Sequence, residues 1–321
     1  QTVSLPSDYK ETAAFANVDY HFTDRFDVSL GGRYSHNKQT SSQTNGGPLS
    51  GPGSTVSGTS SEDVFTFAVA PKYKLSDNAT LYARIAKGYR PGGPNAISPF
   101  APAAVPRTFA SDSIVNYEAG VKADLLDRSV SVDLTAFYIV WSDIQLLANV
   151  NNFGVNTNGG SAESKGVEGS VTFVPTAGLT LSANGAYTQA NLTEDTPALL
   201  GGKDGDRLPY SAPVSGSLNA DYRRPVSDAV SLFVGGSVRF TGRRRSDFDP
   251  TFGQTSVPSF TTVDLRGGLD WGAYRVEAYV KNLGDERGIL SLGGAASSPA
   301  GVLQAGLIRP RTIGVSLSAS Y

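Results

Sequence analysis

The sequence predicts an all-β protein, an antiparallel transmembrane β-barrel of which about 13 strands are visible. Three observations predict this fold. Long stretches alternate apolar and polar residues with a period of two, their connections alternate between short and long, and aromatic residues gather beside the short ones. In a transmembrane barrel the apolar side chains face lipid and the charged ones face a wet lumen, on strands of about nine or more residues.

The clearest hairpin is VDLRGGLDWGAYRVEAYVKNL, at residues 263–283. Apolar side chains from Val263 to Trp271 occupy one parity of its first strand, and a minimal turn at Gly272 follows. Tyr274, Val276, Ala278 and Val280 then continue the same apolar side, while charged residues hold the other side. A soluble sandwich strand usually has only five or six residues and needs a second sheet to cover its apolar face.

The same pattern predicts the other strands in chain order, at residues 9–22, 26–34, 65–75, 81–85, 115–125, 130–140, 167–173, 179–187, 214–222, 230–240 and 313–321. Tight turns are expected near residues 24, 77, 127, 177 and 227. Long polar connections are expected at 38–61, 88–112, 149–160, 194–210, beyond 243 and from 284 onward. Pro71 counts slightly against its strand, because proline removes a ladder donor.

Aromatic residues of the apolar parity stand beside the short turns, where an amphipathic ring suits the depth of the lipid headgroups. We interpret them as a periplasmic girdle. The alternative is a soluble β-core that places its aromatic residues wherever they fit. The residues of this girdle are Phe22, Phe26, Tyr73, Phe173, Tyr222, Trp271, Tyr274 and Tyr321.

Composition excludes several classes of protein. There are 27 basic and 29 acidic residues, so the net charge of −2 argues against a nucleic-acid partner. Cysteine is absent, which excludes disulfides and thiolate metal sites. Methionine is also absent, so we expect residues upstream of Gln1. The alternating connections give an odd number of visible strands, and because bacterial single-chain barrels have even numbers we expect at least one further strand before Gln1.

Five stretches in this order resemble the C-terminal part of the barrel of TonB-dependent outer-membrane receptors: YARIAKGYRPGG (82–93), NYEAGVKADLLD (116–127), FTTVDLRGGL (260–269), VEAYVKNLGDERG (276–288) and RPRTIGVSLSASY (309–321). Tyr321 departs from the usual terminal Phe. The resemblance implies a 22-stranded barrel with a plugged lumen. It therefore also implies that about nine N-terminal strands, the plug domain and the TonB-contacting segment lie outside this chain.

The resemblance further implies active transport across the bacterial outer membrane of a scarce, bulky small-molecule substrate. An iron-siderophore (a ferric chelate), a cobalamin or an oligosaccharide would fit. The implied partners are outer-membrane lipid, lipopolysaccharide and the TonB complex, the last through the missing N-terminal region. No cofactor and no enzymatic activity are expected.

Candidate substrate-binding residues are the basic side chains near the long connections. Arg243, Arg244 and Arg245, followed by Asp247 and Asp249, stand where a strand leaves the membrane. They predict an electropositive rim for an anionic chelate, or, as the favoured alternative, a solvated loop or a lipopolysaccharide contact. Weaker candidates of the same kind are Lys87, Arg90, Arg207 and Arg309.

Charged residues of the lumen parity are expected to pair across strands or with a plug, and the alternative is a conduction path. Cross-strand pairs of this kind contribute up to about 1 kcal/mol each. The residues concerned are Arg33, Lys72, Arg84, Glu118, Lys122, Asp133, Asp221, Arg239, Asp264, Arg266, Arg275 and Glu277.

Catalysis has little support in the sequence. His21 and His36 are the only histidines, and neither has a Ser or Asp at a diagnostic spacing, so both are interpreted as surface or interface residues. The stretch at 201–206, GGKDGD, lacks the features of a phosphate or calcium loop. Two competing classes stay open at this point, a passive porin of perhaps fourteen strands and a soluble multi-hairpin adhesin.

Overall fold

The computed structural model describes residues 2–47, 53–97, 101–150, 153–197, 200–248, 256–293 and 304–320. In these ranges we find twenty-two strands. None of the helical segments within them is long and apolar enough to cross a membrane.

The strands are named in chain order: β1 (Thr2–Ser4), β2 (Ser7–His21), β3 (Phe26–Gly46), β4 (Ser54–Ser76), β5 (Ala79–Arg90), β6 (Gly93–Pro94), β7 (Thr108–Phe109), β8 (Asp112–Leu125), β9 (Val130–Ser142), β10 (Gln145–Val150), β11 (Phe153–Asn158), β12 (Ala162–Thr176), β13 (Leu179–Leu192), β14 (Val214–Pro225), β15 (Val230–Thr241), β16 (Arg244–Arg245), β17 (Ser256–Val257), β18 (Phe260–Trp271), β19 (Tyr274–Lys281), β20 (Ile289–Gly293), β21 (Gln304–Leu307) and β22 (Thr312–Ala319).

Fourteen strands form one antiparallel sheet in the order β1-β3-β4-β5-β8-β9-β12-β13-β14-β15-β18-β19-β22, with β2 also paired to β3. Both β1 and β2 lie along the same edge of β3, one after the other, so they act as a single strand interrupted near Pro6. Counted in that way the sheet has thirteen strands, which confirms the predicted all-β antiparallel fold. Each strand pairs with the strand that precedes it in this sheet, as in a meander.

The predicted alternation of connections is confirmed. Six short turns join the strands at one end of the sheet, after β2, β4, β8, β12, β14 and β18. Six longer connections join them at the other end, and four of these contain a small hairpin of their own: β6–β7, β10–β11, β16–β17 and β20–β21. Barrels in bacterial outer membranes place their tight turns in the periplasm and their long loops outside the cell.

One face of the sheet exposes apolar side chains and no second sheet covers it. Examples are Tyr34, Phe65, Leu134, Leu218 and Val234, all exposed. A soluble protein rarely leaves so large an apolar surface uncovered, so this face fits lipid and does not fit the soluble adhesin. At the short turns, rings of the predicted girdle contact one another: the Phe22 and Phe26 centroids lie 5.4 Å apart and those of Trp271 and Tyr274 6.1 Å apart. Tyr321 lies outside the described residues.

The buried apolar residues lie mostly among the long connections, because the wall itself is a single layer. One cluster contains Ile97, Ala101, Val105 and Val155. A second contains Ile144, Ala162, Leu192 and Phe248, with Trp141, Leu146 and Leu208 packed against it. These two clusters draw residues from several loops and the adjoining strand ends. We call the long connections and these clusters together the cap.

The predicted polar loop at 38–61 is wrong. Strands β3 and β4, with 21 and 23 residues, continue through most of it and pair as far as Asn45 and Ser54. The sequence here is rich in Ser and Thr on both parities, because both faces of the hairpin stand beyond the lipid. The hydrophobic alternation therefore ends where the membrane ends, although backbone pairing continues.

The two outermost strands of the sheet, β2 and β22, each have only one neighbour in the described sheet. The ladder between β4 and β5 is interrupted. Val69 pairs with Ile85 and Lys72 pairs with Tyr82, but the two β4 residues between them, Ala70 and Pro71, have no paired position on β5. Proline has no N–H to donate, which explains the gap at this position.

Candidate functional site

The inner face of the wall is lined with charged side chains that pair with one another. Ten of the twelve predicted lumen residues take part in ion pairs, and the prediction of cross-strand pairing is confirmed for nine of them, Arg275 through Asp270 of β18, whereas Glu277 pairs with Arg275 on its own strand. The pairs are Arg33–Glu11 at 2.7 Å, Lys72–Asp27 at 3.4 Å, Lys122–Asp133 at 2.9 Å, Arg239–Asp264 at 2.6 Å, Arg266–Asp221 at 2.5 Å and Arg275–Glu277 at 3.2 Å. Arg84 and Glu118, the remaining two, stand opposite each other in the β5–β8 ladder.

Small residues let some of these contacts cross a whole strand. Arg266 on β18 reaches Asp221 on β14 over Gly235 of the intervening strand β15. A Cβ at Gly235 would lie 2.3 Å from the Asp221 carboxylate and 3.0 Å from Arg266 Nε. Glycine is therefore required here for space, and the sequence pattern alone did not reveal that requirement.

A cluster of hydroxyl and amide groups joins the upper parts of β2, β3 and β5. The Tyr9 hydroxyl donates to Asn37 Oδ1 at 2.9 Å, and Asn37 Nδ2 donates to the Tyr89 hydroxyl at 2.6 Å. That hydroxyl also lies 3.2 Å from Ser35 Oγ. Ser35 and Asn37 are buried polar residues, 1% and 2% exposed, just beyond the predicted strand at residues 26–34.

Arg90 is held by a buried carboxylate at the base of the cap. Asp112, only 2% exposed, accepts bonds from the Arg90 guanidinium, from Trp141 Nε1 at 2.9 Å and from the Gln145 amide at 3.3 Å. The Arg90 guanidinium also lies over the Trp141 ring, 5.3 Å from its centroid. Asp112 and Trp141 were not predicted as site residues. The contact between Asp112 and Trp141 depends on the register of β8 and β9, and no sequence motif predicts that register.

The residues around Asp112 also join two long connections through hydrogen bonds. The Gln145 side chain donates to the carbonyl oxygens of Pro91 and Ala110, both at 3.0 Å. Asn158 donates to Ala110 at 3.0 Å, and Asn95 donates to the carbonyl oxygen of Asn156 at 2.7 Å. The β5–β8 and β9–β12 connections therefore form one hydrogen-bonded body above the wall.

The three consecutive arginines have three different environments. Arg243 is exposed. Arg244 is 6% exposed; it donates to the Ile289 carbonyl oxygen at 2.5 Å and lies 5.4 Å from the Phe260 ring centroid. Arg245 lies 3.6 Å from Asp206, and its carbonyl oxygen accepts from the Tyr210 amide at 2.7 Å. Asp247 is exposed, and Asp249 lies outside the described residues.

The other basic candidates are dispersed. Lys87 is partly buried in β5, opposite Val115 of β8. Arg207 is partly buried and donates to the Thr188 carbonyl oxygen at 3.3 Å. Arg309 is exposed, and its carbonyl oxygen accepts from Asn282 at 3.0 Å. The structure thus brings Arg244 and Arg245 into the cap and leaves Arg243 and Arg309 at its surface.

The β13–β14 connection is anchored by an exposed ion pair. Lys203 Nζ lies 2.8 Å from Asp195 Oδ2, and the Asp204 amide donates to the same carboxylate at 2.9 Å. The Lys203 ammonium and then the Asp204 amide lower the pKa of Asp195, and the Asp195 carboxylate raises the pKa of Lys203. Among the described residues we find no cluster of three or more His, Asp or Glu side chains that could hold a metal ion.

His36 belongs to a hydrogen-bonded chain that the sequence did not predict. Its Nδ1 lies 2.9 Å from Asp63 Oδ1, and Ser61 Oγ lies 3.3 Å from its Nε2. This order matches a Ser-His-Asp triad, in which the Asp is buried. Here the side chains of His36 and Asp63 are 52% and 56% exposed, so we interpret the chain as a surface contact. His21 pairs with Asp27 near a short turn.

Solved structures share this architecture. The ferric yersiniabactin uptake receptor FyuA from Yersinia pestis matches with a TM-score of 0.83 and 24% identity, over 99% of this chain and 47% of that one. The ferric-catecholate import receptor Fiu from Escherichia coli K12, in its closed form, matches with a TM-score of 0.77 and 18% identity, over 98% of this chain and 45% of that one. At these identities the likeness shows the fold.

Two curated relatives are similar in sequence. The pesticin receptor of Yersinia pestis is 28% identical over 284 residues, 86% of this chain and 39% of the relative. The metal-pseudopaline receptor CntO of Pseudomonas aeruginosa is 29% identical over 194 residues, 60% of this chain and 25% of the relative. The chain therefore spans two-fifths or less of the length of these receptors.

The family model "TonB dependent receptor-like, beta-barrel" matches residues 2–283. These relatives are transport receptors and not enzymes, and the match gives no support to the passive porin. Such barrels stand in the outer membrane of Gram-negative bacteria. The charged inner wall, the lipid-facing outer face and the one-sided long connections all fit that setting. The chain belongs to the family of TonB-dependent outer-membrane receptors and forms part of their β-barrel.

Proposed function

We propose that the protein takes up a metal chelate, of the iron-siderophore class, across the outer membrane by TonB-dependent active transport. The single observation that carries this proposal is the combination, on one sheet, of a charged inner wall and an ordered cap confined to one end. The sequence similarity to a metal-pseudopaline receptor supports a metal-containing cargo. The test must distinguish this cargo class from cobalamin and from oligosaccharides.

We propose that this chain supplies the C-terminal part of the barrel wall, and that further N-terminal strands and a plug complete the protein. Within the described residues, β2 and β22 each have one edge without a partner strand, which supports this, since barrels close by pairing every edge. The paired charges of the inner wall would then face the plug. The TonB complex would act through the N-terminal region, and lipid and lipopolysaccharide would surround the outer face.

In this proposal the basic residues of the cap divide into three groups. Arg243 and Arg309 are exposed and would touch an anionic chelate directly. Arg90, Arg244 and Arg245 already contact protein groups, so they would shape the cap and bind cargo only through their remaining N–H groups. Lys87 and Arg207, the other candidates, are partly buried and would contribute through the local electric field.

The test is uptake of radiolabelled iron by cells that express the complete protein in a strain without other siderophore receptors. A panel of ferric siderophores, cobalamin and a maltooligosaccharide should yield accumulation of a ferric siderophore alone. An uncoupler should abolish accumulation and leave surface binding intact, because TonB transfers energy from the inner membrane. Accumulation that the uncoupler does not affect would contradict active transport. Accumulation of cobalamin or oligosaccharide instead would contradict the cargo class.

A charge comparison tests whether the exposed arginines contact the cargo. We expect Arg243→Ala to weaken ferric-siderophore binding to cells three- to tenfold, whereas Arg243→Lys keeps the charge and binds within twofold of wild type. Exposed Arg224, beside a short turn at the other end of the wall, provides the matched control as Arg224→Ala. Equal binding by all variants would remove Arg243 from the cargo surface.

A further inference from the structure

Strand β4 extends far beyond its neighbour β5. The β4–β5 ladder runs from Ser76↔Ala79 only as far as Ala68↔Ala86. Beyond that point β4 continues to pair with β3 on its other side, as far as Asn45↔Ser54. We call residues 54–67 the β4 edge segment. Within the described residues no backbone hydrogen bond joins this segment to β5, so one whole side of the strand is open.

The backbone N–H and C=O groups that point to the open side of the β4 edge segment belong to its odd-numbered residues. The Lys74 amide donates to the Arg25 carbonyl oxygen at 2.8 Å, which places the backbone groups of an even-numbered residue on the β3 side. The β3–β4 register has no shift, so even positions continue to face β3 and odd positions face β5. Pro71 agrees, since it is odd-numbered and its missing donor falls in the β5 ladder. The open odd positions are Thr55, Ser57, Thr59, Ser61, Asp63 and Phe65.

In the part of the chain that the structure describes, this edge has little of the usual protection. Natural sheets guard free edges with Lys, Pro, bulges or a covering loop. The segment reads STVSGTSSEDVFTF, without Lys or Pro, and its ladder with β3 has no bulge. The chain after β5 contacts inward-facing residues of the segment through side chains: the Gly92 amide donates to Glu62 at 2.8 Å, and Pro94 lies against Gly58. The outward-facing residues from Thr55 to Phe65 are exposed.

We propose that the β4 edge segment binds an extended segment of another protein, which adds to the sheet as a β-strand. An added strand would continue the ladder where β5 leaves it, and main-chain hydrogen bonds would hold it. The segment lies at the end of the sheet that has the long connections, so the partner comes from outside the cell. This inference does not depend on which cargo the receptor carries.

The side chains of the segment define the chemistry of the partner strand. The only charged residues are Glu62 and Asp63, both acidic, and most of the others are small or hydroxylated. A partner therefore needs a basic residue near Asp63, small or β-branched polar residues elsewhere, and no proline. Strand β3 already meets this description on the opposite edge, where His36 faces Asp63, Lys38 faces Ser61 and Thr40 faces Thr59.

The probe is therefore a fluorescent peptide with the sequence of residues 33–46, RYSHNKQTSSQTNG. Fluorescence anisotropy would measure its binding to the complete protein in lipid nanodiscs. We expect saturable binding that weakens at least tenfold in the variant Ser57→Pro/Ser61→Pro. Each proline removes one open N–H and no donor of the β3–β4 ladder, and Pro71 shows that β4 accepts proline at an odd position.

The matched control is Ser57→Ala/Ser61→Ala, which removes the same hydroxyls and keeps both N–H groups. It should bind the peptide within twofold of wild type, and a peptide with proline at alternate positions should not bind. Equal binding by wild type and the proline variant, or no saturable binding to wild type, would overturn the proposal. If the double proline variant fails to fold by heat-modifiable mobility, Ser57→Pro alone replaces it, because Ser57 is farther from the membrane. A protein dimer that the prolines abolish would assign the edge to a second copy and overturn the external partner.

Discussion

The wall and the cap use the same residue types in opposite ways. In the wall, apolar side chains point outward and charged pairs line the inner face half exposed, as in the pair between Asp221 and Arg266, 48% and 47% exposed. In the cap, apolar side chains pack on one another, and Asp112 is 2% exposed beneath Arg90 and Trp141. Desolvation makes each contact in the cap more costly to break. Contact with lipid therefore orders the wall, whereas packing and hydrogen bonds among its own residues order the cap.

The largest expected effect is the loss of an apolar side chain from the cap. Leu192→Ala removes a side chain that is 2% exposed and packs with Ile144 and Phe248. Such substitutions cost about 2–5 kcal/mol, because the cavity closes only in part. Hydrogen–deuterium exchange should show at least about tenfold faster exchange of cap amides near residues 143–161, since 1.4 kcal/mol is a factor of ten.

Leu218→Ala is the matched control in the wall, where Leu218 is 61% exposed on the lipid-facing side. It should leave the exchange of the cap amides unchanged. Equal effects of the two substitutions on the cap would contradict the distinction between self-packed and lipid-ordered regions.

An effect of similar size is expected for the buried carboxylate. Asp112→Ala leaves Trp141 Nε1 and the Gln145 amide without their acceptor, at about 1–3 kcal/mol for each buried donor. The two joined connections should then open together and become sensitive to proteolysis near residues 91–111 and 143–161. Asp133→Ala in the wall, where the carboxylate is 36% exposed beside Lys122, should leave the cleavage rate as in wild type. Cleavage at only one of the two connections would refute their coupling.

A third effect, below about 1 kcal/mol, is expected at Gly235, because exposed ion pairs have only this value. Gly235→Ala would displace the Asp221 carboxylate from Arg266. A double-mutant cycle between Asp221→Asn and Arg266→Gln in urea unfolding should give a coupling energy that vanishes in the Gly235→Ala background. Gly185→Ala, with no atom nearer than 3.9 Å to the added Cβ, should preserve the coupling. A coupling energy that survives Gly235→Ala would disprove the need for space over β15.

The smallest effect concerns pH and the anchor of the β13–β14 connection. The pKa of Asp195 is lowered and that of Lys203 is raised. The contribution of Asp195 is therefore complete above its unfolded value of about 3.9 and is lost as the pH falls below it, while that of Lys203 is lost above about 10.4. Amide exchange near residues 203–206, corrected for intrinsic rates, should be slow between these limits. Lys203→Gln should remove the loss of protection at alkaline pH and reduce the loss at acid pH, where the Asp204 amide still lowers the pKa of Asp195; a variant that keeps the full alkaline dependence would show that another group titrates.

Much of the wall was predictable from the sequence, and much of the cap was not. Inside the membrane each residue faces lipid or the lumen, so period-two alternation identifies strands such as β18 and β19 directly. Beyond the lipid the alternation disappears, and the predicted loop at 38–61 includes residues 38–45 and 54–61, which pair across β3 and β4. The burial of Arg244 could not be predicted either. The sequence does not distinguish the three consecutive arginines, and only the fold places Phe260 and Ile289 against the middle one.

The interrupted seam at Pro71 has a mechanical consequence. The row of paired positions between β4 and β5 has a break in the middle, between Val69↔Ile85 and Lys72↔Tyr82. If single molecules are pulled from one end in a force spectrometer, the sheet should part first along this seam, and the β2–β4 region should leave as one step. The break at Pro71 would then determine where the sheet separates under force and which strands leave together.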